Sequence, residues 1–319
     1  MAQVTGTGTV WNLPNYAGDL FTADPTQTPF LSMIGGLTGG KQTDNFEFPT
    51  GVIYDLPTAA QPGISENASV TAPTPSEIAR AQETNVTQIH QESIELTYEK
   101  MSNMGRMSGL NTAGDAPNPR DEEAWQIQQK LIKIARDVEF SFLQGTYQKA
   151  TDATTPNKTR GMIELTKSAS GTSTDASGAT LTKAMLNSLY KDMADAGAAF
   201  GNMVLFTGST YKQAISDIYN SQLGFNLPET RNVGGLNITE VETDFFKMGI
   251  VWNPFMPQDT ILIADVAACA PVFQPVPGKG NFFVEDLSKT GASDKKQLYG
   301  KIGLAHGPAF LHGSIYGLA

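Results

Sequence analysis

Between residues 118 and 145 the stretch NPRDEEAWQIQQKLIKIARDVEFSFLQG sets Ala124, Ile127, Leu131, Ile134, Val138 and Phe142 three or four residues apart. That spacing draws one apolar stripe and predicts a helix over 119–144, about 39 Å long at 1.5 Å per residue. Asn118 suits the N-cap, Pro119 the first helical position, and Asp121, Glu122 and Glu123 the positive end of the helix dipole. Gly145 marks its end.

Other segments carry a two-residue period. Phe46 and Phe48 alternate with polar neighbours, and alternation returns at Ile94, Leu96 and Tyr98 within NVTQIHQESIELTYEK. Between them lies LPTAAQPGISENASVTAPTPSEIA, rich in Pro, Ser, Thr and Ala. Two strands joined by so long a weakly apolar stretch predict a projecting excursion, because a compact domain rarely contains one. Further on, MIEL (162–165) reads as strand-like, MVLFTG (203–208) as a buried strand, and FKMGIVWN (246–253) and TILIAD (260–265) as later strands. A helix is predicted from Thr180 or Thr182, with Met185, Leu189, Met193 and Ala196 on one face. Another, capped by Ser209 or Thr210, carries Tyr211, Ile215 and Ile218. Strands alternating with helices imply an α/β or α+β unit over about 160–285. The tail QLYGKIGLAHGPAFLHGSIYG alternates, turns at Gly307-Pro308 and runs on, which predicts a hairpin-like β ending.

Residues 1–45 are dense in turn signals and read as an irregular arm. Within it PTQTPFLSMIGG packs Phe30, Leu31, Met33 and Ile34 between two prolines and a glycine pair. This apolar plug is read as a docking segment, on the subunit's own body or on a neighbour. On this reading Phe30→Asp leaves the subunit soluble and folded but blocks particle formation.

Composition narrows the classes. Hydrophobic residues make up 40% of the chain, enough for a sizeable core, while charged residues are only 17%, below the roughly 25% of an average domain. The length suggests about two domains. The formal net charge of −10 argues against gripping nucleic acid through a basic face. The single cysteine, Cys269, lies in the apolar run ADVAACAPVF and cannot form an intrachain disulfide. The start MAQVTGTGTVW lacks the pattern of a signal peptide, and no apolar run reaches the ~18 residues of a membrane helix.

Candidate chemistry fails on context. GGLTGGK (35–41) has the letters of a phosphate loop, but Gln42 stands where Ser or Thr should follow the lysine, and a strand rather than a helix comes next. It reads as a flexible connector. His90, His306 and His312 have no carboxylate at ligand spacing and no nucleophile partner, so a structural role is favoured. The acidic run at 121–123 is explained by its helical position. PGKGNFF (277–283) reads as a surface turn in which Lys279 is available for a subunit contact. No catalytic, cofactor or metal residues are assigned.

The order of elements is arm, long extended hairpin, long helix, α/β unit and terminal strands. That order resembles the major capsid proteins of tailed bacteriophages, a fold shared with the herpesvirus capsid floor. NVTQIHQESIELTYEK (85–100) resembles the returning strand of the family's extended loop, and the helix at 119–144 its spine helix. MVLFTGSTYKQAISD (203–217) is similar to the axial-domain strand and helix. KIGLAHGPAFLHGSI (301–315) is similar to the late strand pair, and LPNYAGDLFTADPTQTPFLSMIGG (13–36) to the arm of one branch.

The resemblance covers essentially the whole chain and implies an α+β capsid fold divided as arm 1–45, extended loop 46–100, peripheral domain 101–159, axial domain 160–285 and returning peripheral strands 286–319. It implies a non-enzymatic protein, without cofactor, that self-assembles into an icosahedral or prolate head enclosing double-stranded DNA without sequence-specific binding. Its partners would be many copies of itself, with decoration, portal and separate scaffolding proteins, and no membrane. It would reside in the virion and, during assembly, the host cytoplasm. A scaffold would be a separate protein or an already removed segment, since the sequence starts directly at the arm. No position matches the Lys, Asn and acidic residue that crosslink some relatives. Candidates for inter-subunit contact are Phe30, Leu31, Met33, Ile34, Ile94 and Leu96. A tail-tube or fibre component would favour internal repeats or a β-dominated sequence, neither of which is found; an α/β enzyme would need a nucleophile–base set, which is missing.

Overall fold

The computed structural model describes residues 24–54, 56–99, 122–222, 230–233 and 236–319. The proposed N-cap Asn118, Pro119 and Asp121 fall outside the described residues, as does most of the arm. The elements in chain order are α1 (Pro29–Ile34), β1 (Lys41–Gln42), β2 (Glu47–Tyr54), α2 (Glu66–Ser69), β3 (Arg80–Val86), β4 (Gln88–Thr97), α3 (Glu122–Gln144), α4 (Met162–Thr166), β5 (Thr172–Asp175), α5 (Lys183–Asp195), β6 (Met203–Thr207), α6 (Ser209–Gln222), β7 (Thr230–Val233), β8 (Leu236–Glu242), β9 (Lys247–Trp252), β10 (Ile261–Asp265), β11 (Ala270–Phe273), β12 (Phe282–Asp286), β13 (Ser293–Ala305) and β14 (Gly313–Tyr316).

Three sheets organise the chain. A seven-stranded mixed sheet runs β5-β14-β10-β6-β9-β8-β7. A five-stranded sheet is built on the long β13, which pairs with β4 along one edge and with β11 and β12 along the other, β1 adding to β11. The pair β2–β3 forms its own two-stranded ribbon.

The central strands of the seven-stranded sheet are buried on both faces, which explains their continuous apolar runs. In β6, Val204 and Phe206 face one core while Met203 and Leu205 face the other. In β10, Leu262 and Ala264 divide from Ile261 and Ile263 in the same way. The second core is closed by Leu186, Leu189, Tyr190 and Met193 of α5 and by Tyr211 and Ile215 of α6. Thr182 caps α5 by accepting a bond from the Met185 amide. The first core lies under α3, where Ile134, Val138, Phe142 and Leu143 meet α1, β4, β13 and the far face of the seven-stranded sheet.

Several expectations change. MIEL begins a short helix, α4, which buries Met162, Ile163 and Leu165. A four-residue apolar run fits either state, and packing against the core decided this one. On α3 the buried stripe is narrower than predicted, since Ala124 and Leu131 are exposed. The C-terminal strands are not a hairpin: β13 belongs to the five-stranded sheet and β14 to the seven-stranded one. Residues 306–312 cross between them through Gly307 (φ 68°) and a 3₁₀ turn at Ala309–Leu311. The sheets therefore cut across the expected boundaries at 285 and 286: β11 and β12 join the five-stranded sheet, and β14 joins the seven-stranded one.

Candidate assembly sites: the plug socket and the hairpin root

Pro29 opens α1, whose fixed backbone suits the first helical position. The six residues PFLSMI turn Phe30, Leu31 and Ile34 to one side and leave Ser32 exposed. That apolar side enters the first core, where the Phe30 ring meets Phe206 edge-on at 5.4 Å between centroids. Burying each of these side chains contributes ~1.5–3 kcal/mol. The plug's socket lies on its own chain. Gly35 and Gly36 then take positive φ, and Gly40 passes so close to Pro271 that an added Cβ would lie 2.4 Å from its carbonyl oxygen. The GGLTGGK segment is thus the connector between the plug and β1, which pairs with Val272 and Phe273.

The floor of the socket is polar at one point. Glu139 of α3 has no solvent exposure. Its Oε1 accepts from the Phe30 amide at 2.9 Å and from Asn253 Nδ2 at 2.5 Å; its Oε2 accepts from the Leu31 amide at 2.7 Å. Asn253 is itself buried and fixed, its Oδ1 accepting from the Phe255 amide at 2.9 Å. Burial pushes the Glu139 carboxyl up to about 7, against the pull of these three donors. Its position was readable in part: one turn from Ala135 and next to Phe142 and Leu143, it interrupts the apolar run VEFSFL. Asn253 had no such signal.

The six contact candidates gather in one core of the subunit and not on an exposed surface. Phe30, Leu31 and Ile34 are buried in the socket, and Met33 packs at its margin. Ile94 and Leu96 lie on the inward side of β4, against the core under α3. In the subunit these five buried side chains face inward, because the two-residue period of β4 and the short helix both present their apolar side to α3.

The second site is the root of the β2–β3 ribbon. Asn85, fully buried, donates through Nδ2 to Leu304 O at 2.8 Å and Arg160 O at 3.4 Å. Its Oδ1 accepts from the Arg160 and Val86 amides at 2.8 and 2.9 Å. Thr87 donates through Oγ1 to Gln274 at 3.0 Å, and Phe48 packs with Val272 and Ala305. Gly303 is required here, since a Cβ would stand 2.7 Å from Val86 O. Lys149 pairs with Glu47 at 2.6 Å and holds that carboxyl below its usual range. On the helix side, Glu92 of β4 pairs with Lys130 at 2.8 Å and with Lys133 of α3. The Asn-x-Thr-Gln segment, where β3 passes into β4, is therefore a polar fastening between ribbon, sheet and the 159–160 segment.

Beyond the root the excursion leaves the body. Residues 56–79 are exposed throughout, including Leu56, Ile64, Val70 and Ile78, and so are Val52 and Tyr54 of β2. Among its described residues one helix is found, α2, capped by Ser65.

The three histidines are buried and neutral. His312 accepts the Asp265 amide at Nδ1 (3.1 Å) and donates through Nε2 to His306 O; His306 donates through Nδ1 to Gly307 O. They hold the crossover between the two sheets. Burial lowers the pKa of His90, His306 and His312 alike to about 4. The stability they contribute is fully present above pH 6.5 and is lost as pH falls toward 4. His306→Asn keeps the donor to Gly307 and removes the titration. Between pH 7 and 4.5 it should lose about 2–3 kcal/mol less stability than the parent chain in urea melts. An unchanged pH dependence would contradict this role.

Lys279 sits in a tight turn, pairs with Glu285 at 2.6 Å and lies over the Phe283 ring. Cys269 is buried, and burial pushes its thiol well above the usual range. Among the described residues no three His, Cys, Asp or Glu side chains are placed to hold a metal, and no helix is long and apolar enough to cross a membrane.

The fold thus combines an exposed ribbon rooted on a sheet, a long helix across that sheet and a second α/β layer. The chain is similar to the capsid of cyanophage A-1(L), with a TM-score of 0.65 and 12% identity over 96% of this chain and 97% of that one. It is similar also to the SrpI encapsulin of Synechococcus elongatus PCC 7942, with a TM-score of 0.60 and 11% identity over 99% and 96%. For the capsid of a native GTA particle the TM-score is 0.59, with 12% identity over 96% of each chain. No curated protein sequence matches. The chain belongs to the SU10 major capsid protein family, whose model matches residues 3–319. It is a capsid-forming structural protein of a phage virion, acting as a homo-oligomeric shell.

Proposed function

We propose that the subunit is fastened into its shell chiefly by the β2–β3 ribbon, which lies over a neighbouring copy, and that the shell encloses double-stranded DNA. The observation that carries this is the exposed apolar series Val52, Tyr54, Leu56, Ile64, Val70 and Ile78 on a segment that stands off its own body. A segment that gains nothing from its own subunit gains burial from a partner, and a repeated heterologous contact closes into a shell. The net acidic charge suits a container that holds DNA without gripping it. The β4–β13 sheet with α3 serves as the peripheral domain and the seven-stranded sheet with α5 and α6 as the axial domain. Portal, decoration and separate scaffolding proteins would complete the head in the host cytoplasm. The protein has no catalytic task in this reading. Cryo-electron microscopy of assembled particles tests it. Ribbon tips resting on neighbouring subunits support it, and ribbons folded back on their own subunits overturn it.

A further inference from the structure

Glu139 meets a need that the plug cannot meet locally. In a short helix the first amides have no partner within the helix, and the residue preceding it commonly accepts from the second and third of them. Here that residue is Thr28, whose side chain makes no such bond, and Pro29 has no amide hydrogen. The next two amides, of Phe30 and Leu31, belong to fully or nearly fully buried residues and donate to Glu139, 109 and 108 positions away. The cap is supplied by the body of the subunit.

The tether is short. Only residues 35–40 separate the plug from β1, whose register on Val272 and Phe273 is fixed by this same chain. Gly40 is wedged against Pro271. So short a connector gives the plug's own socket a high effective concentration over any neighbour's.

We propose that Glu139 is the positioning residue of the arm: it docks residues 29–34 on their own subunit before any neighbour is met. The consequence for assembly rests on reading this segment as part of an assembly arm.

Hydrogen exchange on the unassembled subunit, followed by mass spectrometry, is the test. In the parent chain, peptides covering 29–34 should be protected. Glu139→Gln places an amide donor against amide donors, and exchange in those peptides should rise about 10-fold or more, while β10 is unchanged. Thr28→Asp added to Glu139→Gln supplies the cap locally and should restore protection, an outcome that mere loss of packing would not allow. An unprotected 29–34 in the parent subunit, an unaffected Glu139→Gln, or failure of Thr28→Asp to rescue would each overturn the assignment. Should Glu139→Gln not fold, the double variant alone decides: folded and protected supports the proposal, unfolded overturns it. Particles are counted in parallel by electron microscopy. Normal shells from an undocked variant would overturn the arm's part in assembly while leaving Glu139 as its anchor.

Discussion

Phe30→Asp is expected to abolish the folded subunit, not merely its assembly. The ring has no solvent exposure and lies edge-on against Phe206, between α3 and the seven-stranded sheet. Truncating such a ring costs about 3–5 kcal/mol, and an unpaired carboxylate in its place adds several more. The Phe30 backbone amide already donates to the Glu139 carboxyl, so the substitution sets a second carboxyl on the residue that this buried acid holds. The sum rivals the ~5–15 kcal/mol that keeps an ordinary domain folded. Thermal unfolding followed by circular dichroism should show no cooperative transition near that of the parent chain. A soluble variant with the parent's transition would show that the plug is no part of the core. The expectation from sequence, that this substitution spares the fold and blocks only particles, follows if the socket lies on a neighbour; burial in its own chain reverses it.

The opposite outcome is expected when the ribbon tip is removed. Replacing residues 57–78 with a short Asn-Gly turn should leave stability nearly unchanged and abolish closed shells. The removed side chains are exposed, so little burial is lost within the subunit. The root is kept by Asn85, Thr87, Phe48 and the Glu47–Lys149 pair, none of which lies in the replaced segment. Surface changes of this kind fall within about 0.5 kcal/mol each, whereas every subunit contact made through the tip disappears. Sedimentation and electron microscopy would read the result. Shells of normal yield and size would overturn the proposed role of the ribbon.

These two variants separate what was readable in the sequence from what was not. The long helix declared itself through its period, the central strands through unbroken apolar runs, and the excursion through the length of its polar stretch. The plug was equally visible as an apolar cluster, but its partner was not, because no local pattern records a contact made 109 residues away. Glu139 was the available clue: a carboxylate on the buried side of a helix needs donors, and a proline-led apolar turn has amides to offer. The crossover at 306–312 escaped for a similar reason. A Gly-Pro turn between alternating segments fits a hairpin locally, while the buried histidines that send the two strands to different sheets act through tertiary bonds. Asn85 stood within a recognised strand motif, yet three of its four side-chain bonds reach Leu304 and Arg160, far along the chain.

The proposed division of labour is that the plug completes its own subunit and the ribbon reaches the next. The most direct measurement is a cryo-electron microscopy map of assembled particles at side-chain resolution, traced from residue 24 to residue 86. The predicted trace runs from the plug beside Glu139 through Gly40 into β1 of one subunit, then out along the ribbon to rest on its neighbour. A plug seated in a neighbour's socket, or a ribbon lying on its own subunit, would contradict it.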